Sequence, residues 1–147
     1  MSESTQNNTI NDEEFGSLTW REDLDNWSGI VELADRIRVK LYIESSEGKD
    51  ISITTETRQA FKTVAESAEK MRQKACDELL SIYNRSWNEG EPIDAETFMN
   101  LLSLESIRLY PDGSTEIYFD DGGLFWGHTV IVSLSKDGDF YDAEIAG

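Results

Sequence analysis

The sequence predicts an α+β fold: an antiparallel sheet with one long and one short helix packed on one of its faces. Three observations carry that prediction. Apolar residues alternate with period two in the first 45 residues and again after residue 104. Between those stretches they recur at three- and four-residue steps, and the turns PDG, DDGG and KDGD of the last third have hairpin chemistry.

Residues 1–14, MSESTQNNTINDEE, hold almost nothing to bury and read as a disordered acidic arm, which leaves 15–147 as a single domain. FGSLTW, SGIVELA and IRVKLYIES then read as a three-strand meander, the third strand alternating Ile37, Val39, Leu41 and Ile43 with Arg38, Lys40, Tyr42 and Glu44, and SSEGKD closes it as a turn. Trp20 and Trp27 flank the link between the first two strands, where tryptophans cap a core edge more often than they form a binding rim.

After ISIT, a cap at Thr55 or Thr57 opens a helix to about Arg85, because Phe61, Val64, Ala65, Ala68, Met71, Ala75, Cys76, Leu79 and Tyr83 form one apolar stripe. Cys76 on that stripe is a buried, inert thiol. NEGEP interrupts the chain, and IDAETFMNLL is a second, short helix with Asp94 as cap and Ile93 against Phe98 as a staple. ESIRLY, STEIYFD, LFWGHTVIVSLS and DFYDAEIAG complete a four-strand meander. The order is three strands, two helices, four strands.

The net charge of −17 is unevenly spread. Residues 1–35 carry nine acids and one base, residues 36–86 eight acids and ten bases, and residues 87–147 thirteen acids and two bases. Acidic ends around a balanced middle disfavour nucleic acid and anionic membrane as partners and attract a basic protein. A single cysteine, no basic–apolar leader and no apolar run of about 20 residues point to the cytoplasm. In that compartment the triplets beginning at Asn7, Asn26 and Asn84 are not glycosylation sites.

The chemistry of the chain is bounded mainly by exclusion. One histidine and one cysteine do not make a zinc site, and the acidic turns at Asp112, Asp120 and Asp137 lack the spaced carboxylates and closing glutamate of a calcium loop, so no metal and no cofactor are expected. There is no G-x-G-x-x-G, no P-loop and no G-x-S-x-G, and nothing singles out a glycosidase pair among thirty acids. No catalytic residue is assigned. His128 falls within a predicted strand, sharing a face with Leu124, Trp126, Val130, Val132 and Leu134, where a structural imidazole hydrogen-bonded to Asp120, Asp121 or a carbonyl is the simpler reading. Gly127 beside it marks a bulge that would re-aim Trp126 and His128.

The segment SIRLYPDGSTEIYFDDGGLFWGHTVIVSLSKDGDFYDAEIAG, with LFWGH, the later DG and IAG as its most specific parts, resembles the close of small bacterial domains of unknown function, the DUF2262-like group. The likeness extends over about residues 15 to 147. It implies architecture and assigns no functional residue. It also implies the neighbourhood of bacterial toxin loci, where small acidic proteins neutralise basic toxins. Two functions follow. One is a non-enzymatic acidic binding protein, an immunity protein against a basic toxin domain, with Asp120 and Asp121 among its docking carboxylates. The other is a small-ligand binder or enzyme with its site at Trp126 and His128.

Overall fold

Two antiparallel meanders meet in parallel in one eight-stranded mixed sheet, whose spatial order follows the chain. The computed structural model describes residues 8–33, 36–45 and 53–146. The strands are β1 (Thr9–Asp12), β2 (Gly16–Arg21), β3 (Asn26–Glu32), β4 (Arg38–Glu44), β5 (Ser103–Leu109), β6 (Thr115–Asp120), β7 (Thr129–Leu134) and β8 (Phe140–Ala146). Between β4 and β5 run α1 (Thr55–Ile82), a five-residue π-helical turn (Tyr83–Trp87) and α2 (Ala95–Leu101).

Three expectations are corrected. The sheet is mixed, because β4 and β5 pair in parallel, Lys40–Ile43 against Ser106–Leu109, and parallel neighbours need a long crossover, here the two helices. The N-terminal meander has four strands, because residues 9–12 of the expected arm pair with β2, Ile10 opposite Leu18. The third correction concerns β7, which starts at Thr129, so that LFWGH precedes the strand. Residues 1–7 of the arm and 46–50 of the SSEGKD turn lie outside the described residues.

The helices form as their patterns require. Thr54, one residue before the expected caps, receives the Thr57 N–H at 3.0 Å on its hydroxyl, and the Thr57 hydroxyl donates to the Tyr110 carbonyl at 2.9 Å. Asp94 caps α2 by accepting from Thr97 N–H at 2.9 Å. The buried stripe of α1, with Val64, Met71, Ala75, Cys76 and Leu79, packs on the sheet face that presents Leu41, Ile107, Ile117, Phe119 and Val132. Burial pushes the Cys76 thiol up from its ordinary range, which keeps it protonated. Trp20 and Trp27 are buried edge-to-face at 5.4 Å, so they belong to this core and form no rim. Among the described residues, no helix is long and apolar enough to cross a membrane.

The first strand is fastened by charge as well as by its ladder. Arg58, in the first turns of α1, donates to both carboxylate oxygens of Asp12 at 2.7 and 3.0 Å and to Glu14 at 3.0 Å, and its guanidinium lies 5.3 Å from the centre of the Phe15 ring. The Arg58 bonds, aided by the Phe15 and Glu14 N–H groups, lower the Asp12 pKa to about 2 despite partial burial. Such a depressed carboxylate stabilises the fold fully above the unfolded value near 4, and that contribution fades as pH falls toward 2. Arg58→Gln is therefore expected to lower stability at neutral pH by about 1 kcal/mol and to flatten its decline between about pH 4 and 2. Denaturant unfolding at pH 7 and pH 3 checks both, and faster amide exchange at residues 9–12 locates the effect; an unchanged acid limb would detach Asp12 from Arg58.

Candidate functional site

The loop between β6 and β7 is built around one buried carboxylate. Asp121 is 2% exposed, and it accepts the backbone N–H groups of Gly123 at 2.9 Å, Phe125 at 2.8 Å and Gly127 at 3.1 Å. Three charge-assisted bonds to successive turns of backbone outcompete the sheet ladder, which is why the alternation through LFWGH does not continue as strand. Leu124 and Phe125, adjacent in sequence, are both buried, an arrangement that a period-two strand over a single core cannot give. Asp120, the last residue of β6, stays exposed, its carboxylate accepting the Gly122 N–H at 3.1 Å.

This winding decides where Trp126 and His128 go. Trp126 adopts a left-handed backbone, φ 62°, and the residue is 64% exposed. Its ring meets Trp87, the last residue of the π-helical turn, with centroids 4.8 Å apart and planes at 62°. That turn is closed by Asn88 N–H donating to the Tyr83 carbonyl at 2.8 Å, and Asn84 pins the following loop by bonding both N–H and C=O of Ile93 at 3.0 Å. His128 is half-buried, 5.6 Å from Trp87 between ring centres, and its Nδ1 bonds the Phe125 carbonyl. A carbonyl can only accept, so Nδ1 is the donor of that bond. His128 thus lies in the loop ahead of β7 and not on the apolar face of a strand, and its hydrogen-bond partner is a carbonyl. Beneath it Phe125 joins Trp87, Tyr83 and Phe98 in edge-to-face contacts of 5.3, 5.7 and 6.2 Å.

Of the four residues singled out from the sequence, the loop brings Trp126 and His128 together over Trp87, turns Asp121 inward and leaves Asp120 at the surface. A cavity of about 370 Å³ opens elsewhere, between α1 and the turns after β5 and β7, lined among others by Glu56, Gln59, Thr63 and Lys136.

The sheet face opposite the helices holds a feature that sequence reasoning missed. Arg108 of β5 lies between Tyr42 of β4 and Tyr118 of β6, its guanidinium 5.6 and 5.7 Å from the two ring centres, and its Nε is 3.6 Å from Glu44. The hydroxyls of Tyr110 and Tyr118 both donate to one oxygen of Glu116, at 2.7 and 2.8 Å. Burial, reinforced by the Glu116 bond, pushes the Tyr110 phenol up to about 12 and raises Tyr118 as well, so both hydroxyls remain donors. The period-two pattern puts each of these residues on the outer face, but only the β4–β5 pairing, across some sixty residues of chain, brings them together.

Further out on that face the charge becomes one-sided. Residues 111–146 contain eight acids and one base, a net charge of −7. Glu116, Ser133 and Asp142 are successive cross-strand neighbours, as are Tyr118, Ile131 and Glu144, which sets Glu116, Asp142 and Glu144 on the same outer face with Asp120 at its end.

The loop geometry yields a pair of stability contrasts. Asp121→Ala is expected to cost about 2 to 4 kcal/mol, since it strands buried N–H groups, whereas His128→Ala, losing one bond at a half-buried site, should cost about 1 kcal/mol. Gly122 has φ 61°, and a Cβ there would sit 2.3 Å from the Leu101 carbonyl oxygen, while at Gly123, φ 89°, it would meet open space. Gly123→Ala should therefore cost about 1 kcal/mol for its backbone alone and Gly122→Ala about 3 kcal/mol or more. Urea unfolding of the four variants orders them; equal costs at the two glycines would mean that the loop does not lean on α2.

Comparison with known proteins places the chain at the level of family alone. No curated protein and no solved structure matches the chain. One family profile, described as an uncharacterized protein conserved in bacteria, DUF2262, matches residues 12–145, a span from the end of β1 nearly to the end of β8. By that match the chain belongs to the DUF2262 family.

Proposed function

We propose that this chain is a non-enzymatic acidic binding protein that docks a basic partner on the outer face of β6–β8, and that the partner is a bacterial toxin domain neutralised by occlusion. The observation that carries the reading is the gathering of Glu116, Asp120, Asp142 and Glu144 on one face. An even scatter of thirty acids would have argued for solubility alone. The outer face of β3 and β4 differs: there Glu32 is paired across strands with Arg38, and Lys40 stands beside Ile30. Charge complementarity is thus offered by half of the sheet, which fixes an orientation for the partner as well as an attraction. Asp121, tied up inside its loop, contributes to the shape of this half and not to its field at contact range.

Asp142 and Glu144 are exposed and lie on the edge strand, so replacing them leaves the core alone. The double variant Asp142→Asn with Glu144→Gln is expected to slow association with an oligolysine peptide by about three- to tenfold at low salt, with a smaller difference at high salt and little change in dissociation. Stopped-flow measurement at two ionic strengths checks this, and protection of a target by the parent but not the variant, assayed with a basic toxin domain, checks the neutralising role. Association indifferent to salt and to both substitutions would reduce the acidic face to a solubility device.

A further inference from the structure

Trp126 is placed against the preferences of its own backbone. A left-handed φ of 62° suits glycine or asparagine, and here it is taken by the bulkiest side chain, with glycine, the residue that would relieve it, one position later. The residue is held there by its neighbours: Phe125 N–H and Gly127 N–H on either side of it are both bound by Asp121, and the Trp126 N–H donates to the Gly123 carbonyl at 3.2 Å. The result is an exposed tryptophan, the residue 64% accessible, with its ring against Trp87. Burial does not explain the ring, since most of it faces outward, and strain retained for an exposed aromatic side chain is what an interface anchor requires.

We infer that Trp126, backed by Trp87, is the anchor onto which an arginine of the basic partner stacks. The inference rests on the docking reading above and names the side chain that reading leaves open. Its chemistry follows from the setting. The indole face is the strongest of the side-chain π-surfaces for a cation, and a guanidinium stacks on it better than an ammonium does. Acidic residues flank both halves of the step along the chain: exposed Glu89 and Glu91 follow Trp87, and exposed Asp120 immediately precedes the loop that carries Trp126. Asp120 also closes β6 at the end of its acidic face.

The test compares oligoarginine and oligolysine peptides of equal length on the parent and on two variants whose backbones suit the left-handed position, Trp126→Gly and Trp126→Asn. The parent should bind the arginine peptide about two- to fivefold more tightly than the lysine peptide, and both variants should lose that preference while keeping the salt dependence of binding. Their melting temperatures should equal or exceed that of the parent. A parent without preference, or variants that keep it, overturns the inference and leaves the docking reading standing on its salt dependence. Variants that melt as far below the parent as Asp121→Ala overturn it too, because the ring would then serve the fold. Absence of binding to either peptide by the parent overturns both. Loss of salt dependence on Asp142→Asn with Glu144→Gln, with the arginine preference intact, supports the stacking and confirms that the acidic face acts separately.

Discussion

The parallel pairing of β4 with β5 is the constraint on which the other features depend. A hairpin cannot join parallel neighbours, so the chain must leave the sheet, cross it and return, and the crossover here holds α1, the π-helical turn and α2. The helices cover the face that carries Leu41, Ile107 and Phe119, and among the described residues no helix covers the opposite face. The same pairing sets the register of the outer face. Thr9, Thr19, Ser28, Tyr42, Arg108, Glu116, Ser133 and Asp142 follow one another as cross-strand neighbours through all eight strands. That row passes from small hydroxyl residues through the tyrosine–arginine layer to carboxylates.

At the junction of the two meanders the outer face is polar and yet largely satisfied. Arg108 gains two aromatic faces and a carboxylate at 3.6 Å, and both phenols converge on Glu116. Each contact is modest, but an arginine between rings loses little rotamer freedom, and the network ties β4, β5 and β6 together where no apolar layer does so. Glu44 extends it to β3 through the Asn26 amide, which donates to Glu44 at 2.9 Å. The junction that the fold most needs to hold is therefore cemented from both sides, by the apolar core beneath and by this layer above.

Much of this architecture was legible in the sequence because local periodicity was strong where packing was strong. The alternation of Val39, Leu41 and Ile43 and the stripe from Val64 to Leu79 each appear as one buried face. What escaped did so for physical reasons. TIND in β1 has one apolar residue, itself more than a third exposed, and its pairing is secured by β2 and by Arg58, a partner 46 positions away from Asp12. LFWGH kept the pattern of a strand, but a side chain outside that pattern, Asp121, captured the backbone. The acidic face and the Arg108 layer were present as residue types and absent as places, since register between distant strands is not written in local spacing.

The candidate site lies where these two kinds of determination meet. Asp120 and Asp121 are adjacent and chemically identical, yet one points into solvent at the end of an acidic face and the other is buried as the hub of a loop. The alternation of β6 carries residue 120 outward and residue 121 inward, and Gly122 next to them, with its left-handed backbone and missing Cβ, lets the chain pass against the Leu101 carbonyl. Because that passage seats the loop on α2, and because Phe125 packs on Phe98 of the same helix, the crossover helices fix the position of the loop. The loop in turn lifts Trp126 clear of the core and rests it on Trp87, which the π-helical turn at the end of α1 supplies. An exposed aromatic step and a field of carboxylates are thus both consequences of one crossover: its covered face orders the loop, and its uncovered face leaves the charges in water.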